Sequence, residues 1–103
     1  MAEVRYSLLA EDDIDGITEY TVRTWSLAQA DKYVGGLEAF CGHLASDSSL
    51  GRVCDEIRPG LLRREYEHHV VFFRVREYGV RVVRVLHERQ LPQKHSFEDD
   101  ENA

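Results

Sequence analysis

Residues 58–89, RPGLLRREYEHHVVFFRVREYGVRVVRVLHER, constrain this chain more than any other stretch, because they read as a basic β-meander with apolar residues on both faces. Strands are predicted at 61–66, 68–76 and 80–87. A two-residue turn at Tyr78 and Gly79 would set Glu77 opposite Val80, Val75 opposite Val82, Phe73 opposite Arg84 and Val71 opposite Leu86. One face is then mainly apolar and belongs against helices. The other carries Val70, Phe72, Val83 and Val85 among Arg74, Arg76, Arg81 and His87, with Arg76 and Arg81 as a like-charge pair across the strands. Such a sheet needs two covers. The residues before it can supply one, and the other is expected from outside the chain.

The first cover is a helical hairpin. After a short strand at 4–8, Ser7 is placed to cap a helix whose face is Ala10, Ile14, Ile17, Thr21 and Trp25. Asp12, Asp13, Asp15 and Glu19 fall on the opposite, solvent-facing side, and acidic residues in the first turns suit the helix dipole. Gly16 costs this helix about 1 kcal/mol relative to Ala, so it is expected to mark close packing. Trp25 continues the packed face, although its place at the hairpin tip also offers it as a contact residue. Ser26 followed by Gln29 has the form of a capping box and restarts the chain as a second helix, with Ala30, Tyr33, Leu37, Phe40, Cys41 and Leu44 as its packed face. A connection this short makes the two helices antiparallel. Residues 46–60 are turn-rich and read as a surface loop.

A chain of 103 residues has room for a single domain, and one this small gains from a partner. The net charge of −6 conceals three blocks. Residues 1–57 hold 4 basic and 11 acidic side chains, residues 58–95 hold 9 and 4, and residues 96–103 hold 0 and 4. The sheet is therefore basic between two acidic segments, which keeps an anionic partner in view despite the low isoelectric point. The domain is assigned to residues 1–95, and 96–103 is expected to be a disordered acidic tail. No apolar run approaches the ~20 residues that span a bilayer. Nothing at the N-terminus has the form of a signal peptide, so a cytoplasmic protein with reduced thiols at Cys41 and Cys54 is expected. No Cys/His spacing matches a metal-ligand set, and no cofactor is indicated.

Several short strings, taken in order, resemble the ParE toxins of bacterial type II toxin-antitoxin systems within the wider RelE/ParE group. They are YSLLA at 6–10, EYTVRTW at 19–25 with Gln29 and Ala30 behind it, LGR at 50–52, RPGL at 58–61, HVVFFRV at 69–75 and VVRVLHER at 82–89. The resemblance runs from residue 4 to 95. It departs at Leu8, where these toxins usually carry proline, and at the acidic end, which extends beyond their common C-terminus.

The resemblance implies an α+β fold with an N-terminal strand and an antiparallel helical hairpin packed on an antiparallel sheet. It also implies a non-enzymatic toxin that acts on DNA gyrase and is neutralised by a ParD-like antitoxin. That antitoxin has a ribbon-helix-helix domain, so operator DNA is met only through it, and no membrane is involved. The antitoxin segment is expected on Val70, Phe72, Arg74, Arg76, Arg81, Val83 and Val85. His87, Arg89, His95 and Trp25 are the residues expected to meet the target. The alternative in the same group is a RelE-like ribosome-dependent mRNA ribonuclease, which needs clustered acid–base and phosphate-stabilising groups. Arg89 and His95 stand near such positions, but the only lysines are Lys32 and Lys94, so the set is incomplete. A nucleic-acid-binding sheet is a third class; Phe72 and Phe73 serve packing more simply than base stacking.

Overall fold

The computed structural model describes residues 2–99 and 101. Strand β1 (Glu3–Tyr6) leads into α1 (Leu8–Thr24) and α2 (Leu27–Ser46), after which β2 (Arg52–Val53), β3 (Leu62–Tyr66), β4 (His69–Arg76) and β5 (Gly79–His87) follow. The strands lie in the order β1-β5-β4-β3-β2, and the helical hairpin covers one side. The α+β class is as expected. The sheet is mixed rather than wholly antiparallel, because β1 joins the outer edge of β5 in parallel. The loop expected at 46–60 includes the two-residue edge strand β2, paired with β3.

Both helices start where their caps dictate. The Ser7 hydroxyl oxygen accepts the Ala10 N–H at 3.0 Å and donates to the Val83 carbonyl at 2.7 Å, so one side chain caps α1 and ties it to β5. Ser26 accepts the Gln29 N–H at 3.0 Å and restarts the helix after only two residues outside the helical spans. Ala30, Leu37, Cys41 and Leu44 are buried as their spacing required. Trp25 departs from the expected packed face: it is 73% exposed at the hairpin tip.

The register between β4 and β5 differs from expectation. The turn residues are Glu77 and Tyr78, flanked by the pair Arg76 with Gly79. Gly79 belongs to the strand because β1 crowds it: its φ is +143°, and a Cβ there would lie 2.1 Å from the Glu3 carbonyl oxygen. A bulge follows, since Phe73 pairs with Val82 while Phe72 pairs with Arg84, which leaves Val83 as the extra residue. The like-charge pair is therefore Arg74 with Arg81, not Arg76 with Arg81. The slip also exchanges two apolar residues. Val85 joins Val71, Phe73, Val80 and Val82 under the helices, and Leu86 joins Val70, Phe72 and Val83 on the opposite side.

Val80 through Leu86 are all buried, which confirms that β5 is covered twice. The second cover comes from the chain itself, contrary to expectation: Cys54, Ile57 and Leu61 close over one part of the face, and Phe97 closes another. The acidic end has no regular secondary structure among its described residues, and its Phe97, Asp99 and Glu101 side chains lie against the sheet. Asp100, Asn102 and Ala103, which complete the expected tail, lie outside the described residues. Cys41 and Cys54 are buried and unpaired. Among the described residues, no helix is long and apolar enough to cross a membrane.

Asp13, expected on the solvent face, instead clamps the helix to the sheet. Its two oxygens accept Arg84 Nε and a terminal guanidinium nitrogen, each at 2.8 Å, and the Val85 N–H at 2.9 Å. Both side chains are largely buried. Removing the carboxylate would strand a buried guanidinium and an edge N–H, so Asp13→Ala should lose about 3 kcal/mol of stability in urea unfolding. Asp15→Ala, at an exposed position on the same helix, should stay within about 0.5 kcal/mol of the parent.

Candidate functional site

A cleft of about 810 Å³ opens between the helical hairpin and the end of β5. Its walls come from α1, the start of α2, the β3–β4 turn and the segment leaving β5. Trp25, His87 and Arg89, expected to form one target-facing set, all line it; His95 lies beyond the helical turn Pro92–Lys94, outside the lining. Gly16 lines the cleft as well. A Cβ there would meet nothing within 4 Å, so this glycine borders open space instead of marking close packing.

The inner wall is a hydrogen-bonded aromatic group that the sequence did not reveal. The Tyr33 hydroxyl lies 2.6 Å from His69 Nδ1, and the His69 and His87 rings meet edge to face with centroids 5.3 Å apart. Burial raises the Tyr33 pKa, so the phenol keeps its proton. Burial first, then the neighbouring His87 and His68, push His69 down to about 4, which makes it a neutral imidazole at physiological pH. His87 Nδ1 accepts the Arg89 N–H at 3.1 Å, and the Gln90 side-chain oxygen accepts the His87 N–H at 2.6 Å. These bonds fix how the chain leaves β5. The only cue in the sequence was that three histidines, His68, His69 and His87, fall at one end of two adjacent strands.

The rim has a different character. Tyr20 and Trp25 are exposed, and Arg89 is exposed with no hydrogen-bond or ion-pair partner for its guanidinium among the described residues. Aromatic side chains beside an uncommitted arginine are the residue types that dominate protein interfaces. Among the described residues, no cluster of His, Cys, Asp or Glu could hold a metal ion.

The residues expected to meet an antitoxin lie elsewhere. Val70, Phe72 and Val83 share the side of the sheet away from the helices, where all three are buried. Val85 does not join them, because the bulge turns it into the helix-side core. Arg74 donates to the Pro59 carbonyl at 2.6 Å, Arg76 meets Glu101 at 2.7 Å, and Arg81 meets Asp99 at 2.8 Å. This face is roofed by the chain's own loop and C-terminal segment.

His69 gives the cleft a pH signature. Its folded pKa lies below the unfolded value of about 6.5, so the unfolded chain takes up the proton first as pH falls. The contribution of His69 is thus whole above pH 6.5 and shrinks as pH falls from 6.5 to 4. His69→Gln should flatten that part of a stability–pH profile measured by chemical denaturation.

Comparison with known proteins agrees with this architecture. The family described as "ParE toxin of type II toxin-antitoxin system, parDE" matches residues 4–92. The chain is 37% identical over 81 residues to Toxin ParE1 of Mycobacterium tuberculosis, covering 78% of this chain and 83% of that one. It is 35% identical over 97 residues to Toxin ParE1 of Caulobacter vibrioides, covering 92% and 98%. Toxin ParE of Escherichia coli is 39% identical over 82 residues, covering 78% and 79%. Among solved structures, a chain of "Chromosomal ParDE TA system from P. aeruginosa" superposes with a TM-score of 0.71 at 20% identity, over 84% of this chain and 96% of that one. The hairpin-on-sheet fold, the match from residue 4 to 92 and these relatives together establish that the chain belongs to the ParE toxin family of type II toxin-antitoxin systems.

Proposed function

We propose that this ParE-family toxin works in the cytoplasm by binding DNA gyrase through the rim of the cleft, so that replication stalls, and that a ParD-like ribbon-helix-helix antitoxin neutralises it. The observation that carries the target side is the exposed Arg89 guanidinium, uncommitted among the described residues, beside the exposed rings of Trp25 and Tyr20. Leaving a tryptophan 73% exposed forgoes burial that the core could have used, which is how surfaces reserved for a partner differ from cores. The family resemblance supports the same assignment for Arg89 and supplies the gyrase reading. The antitoxin is assigned to the face bearing Val70, Phe72, Arg74, Arg76, Arg81 and Val83; Val85 is withdrawn from that set.

The alternative, ribosome-dependent cleavage of messenger RNA, draws support from one observation: Tyr33, His69 and His87 converge beside Arg89, and imidazoles near an arginine can serve phosphodiester chemistry. His69 is a weak base for that task, with its pKa near 4 and its Nδ1 occupied by Tyr33. A toxin that binds its target needs no such acid–base pair.

Induction in bacteria separates the two readings. The parent should trigger the DNA-damage response with messages intact. Arg89→Ala should fold normally, still bind antitoxin and lose toxicity by about tenfold or more, as expected for an interface anchor. Arg89→Lys should recover only part, because a lysine cannot reproduce the paired hydrogen bonds of a guanidinium. Rapid ribosome-dependent message cleavage that disappears in His69→Ala would overturn the gyrase reading.

A further inference from the structure

On the side of the sheet away from the helices, the C-terminal segment sits as a bound peptide would. Among the described residues, no backbone–backbone hydrogen bond ties residues 96–101 to the strands. They are held through side chains at alternate positions. The Phe97 ring is 4% exposed and stands edge-on to Phe72, with centroids 5.0 Å apart. Asp99 accepts Arg81 Nε at 3.1 Å and a terminal nitrogen at 2.8 Å. Glu101 accepts Arg76 Nε at 2.7 Å and the Tyr78 hydroxyl at 2.5 Å. At the start of the segment, Arg84 donates to the Ser96 carbonyl at 2.7 Å. A two-residue step between contacts is the spacing at which side chains of an extended segment share one side.

The receiving groups do not depend on the segment for their placement. Phe72, Arg76, Arg81 and Val83 are spaced by β4 and β5, the two strands that share the longest ladder in the sheet. Tyr78 sits in the turn between those strands. The receptor is thus prebuilt: an apolar slot, then two guanidiniums, the second with a phenol at its side.

We propose that this strip is a recognition groove for an extended segment of a partner protein, in which an apolar side chain is followed at two-residue steps by two carboxylates, and that Phe97, Asp99 and Glu101 are its resident, displaceable occupants. The partner named for it, a ParD-like antitoxin, rests on the functional reading above. The groove itself rests only on the contacts just described. Charge complementarity favours such a partner, because residues 58–95 carry 9 basic against 4 acidic side chains. A tethered occupant competes at an effective concentration of roughly millimolar, so a free segment meets an open groove only in the fraction of molecules whose strap is off. Weakening the strap should raise the partner's apparent affinity by the inverse of that fraction.

The test uses the full chain in three forms: the parent, Asp99→Asn with Glu101→Gln, and the same pair with Phe97→Ser. The probe is a fluorescently labelled peptide, HSFEDDE, followed by anisotropy. Both altered chains should bind it at least about tenfold more tightly than the parent, and a peptide with serine and two amides at the contact positions should not bind. A ParD-type antitoxin that neutralises the chain in cells should compete the labelled peptide away. If Phe97→Ser prevents folding, the double amide variant, which keeps the buried ring, carries the same measurement. Folded variants that gain no peptide affinity would overturn the groove. A peptide that binds but is not displaced by an antitoxin still bound to the chain would overturn the partner and leave neutralisation intact. An antitoxin that binds no form of the chain would instead sink the functional reading. Strap-weakened chains that dimerise by light scattering would assign the groove to a second copy of this protein and overturn the partner proposal.

Discussion

The contact between Asp13 and Arg84 is the fixed point of this fold. Arg84 lies within the seven buried residues of β5, where a guanidinium is tolerated only if its donors are taken. Asp13 takes two of its nitrogens and the Ser96 carbonyl takes a third. The same carboxylate accepts the Val85 N–H, which β1 cannot reach because its pairing with β5 ends at Val82. Ser7 completes the arrangement by donating to the Val83 carbonyl. Where β1 stops, the cap and first turns of α1 take over the exposed edge of β5 through two side chains, Ser7 and Asp13. One ion pair thereby fixes the helix layer, the sheet edge and the start of the C-terminal strap.

That anchor separates two surfaces of opposite character. The cleft at the hairpin tip has an inner wall of Tyr33, His69 and His87 in mutual contact and a rim whose polar and aromatic groups face water. The other face has its arginines already engaged and its apolar residues already covered. On the proposed reading, a target would meet side chains at the rim that are already exposed. On the proposed reading, a partner on the sheet would first have to replace the contacts made by the chain's own segment.

The parts of this structure that depend on local pattern were legible in the sequence. The helix caps at Ser7 and Ser26, the packed face of α2 and the need for two covers on the sheet all follow from periods and caps within a few residues. The β4–β5 register was not legible, because Gly79 is required by a strand some 75 residues earlier and the bulge at Val83 leaves no pattern of its own. Asp13 was hidden for a similar reason. An aspartate among Asp12, Asp15 and Glu19 looks like a solvated face, and only the placement of Arg84 singles it out. In the cleft, the pairing of Arg89 with Trp25 came from the resemblance and the hairpin tip, whereas the Tyr33–His69 bond spans 36 positions and has no local signature.

The three charge blocks of the chain become three layers once it folds. The acidic first block contains the helices, the basic block forms most of the sheet, and Phe97, Asp99 and Glu101 of the acidic end lie on the far side of that sheet. Each interface between layers is closed by a carboxylate on a β5 arginine, Asp13 on Arg84 and Asp99 on Arg81. Burial works against a charged Asp99, yet the bonds from Arg81 and the Glu101 N–H outweigh it and hold its carboxyl below the usual range. Its partner rung, Arg76 with Glu101, is more open to solvent and correspondingly more screened by salt. The strap therefore has a firm end near Phe97 and Asp99 and a weaker end at Glu101. A competing segment would enter from the weak end, taking Arg76 first and the aromatic slot last.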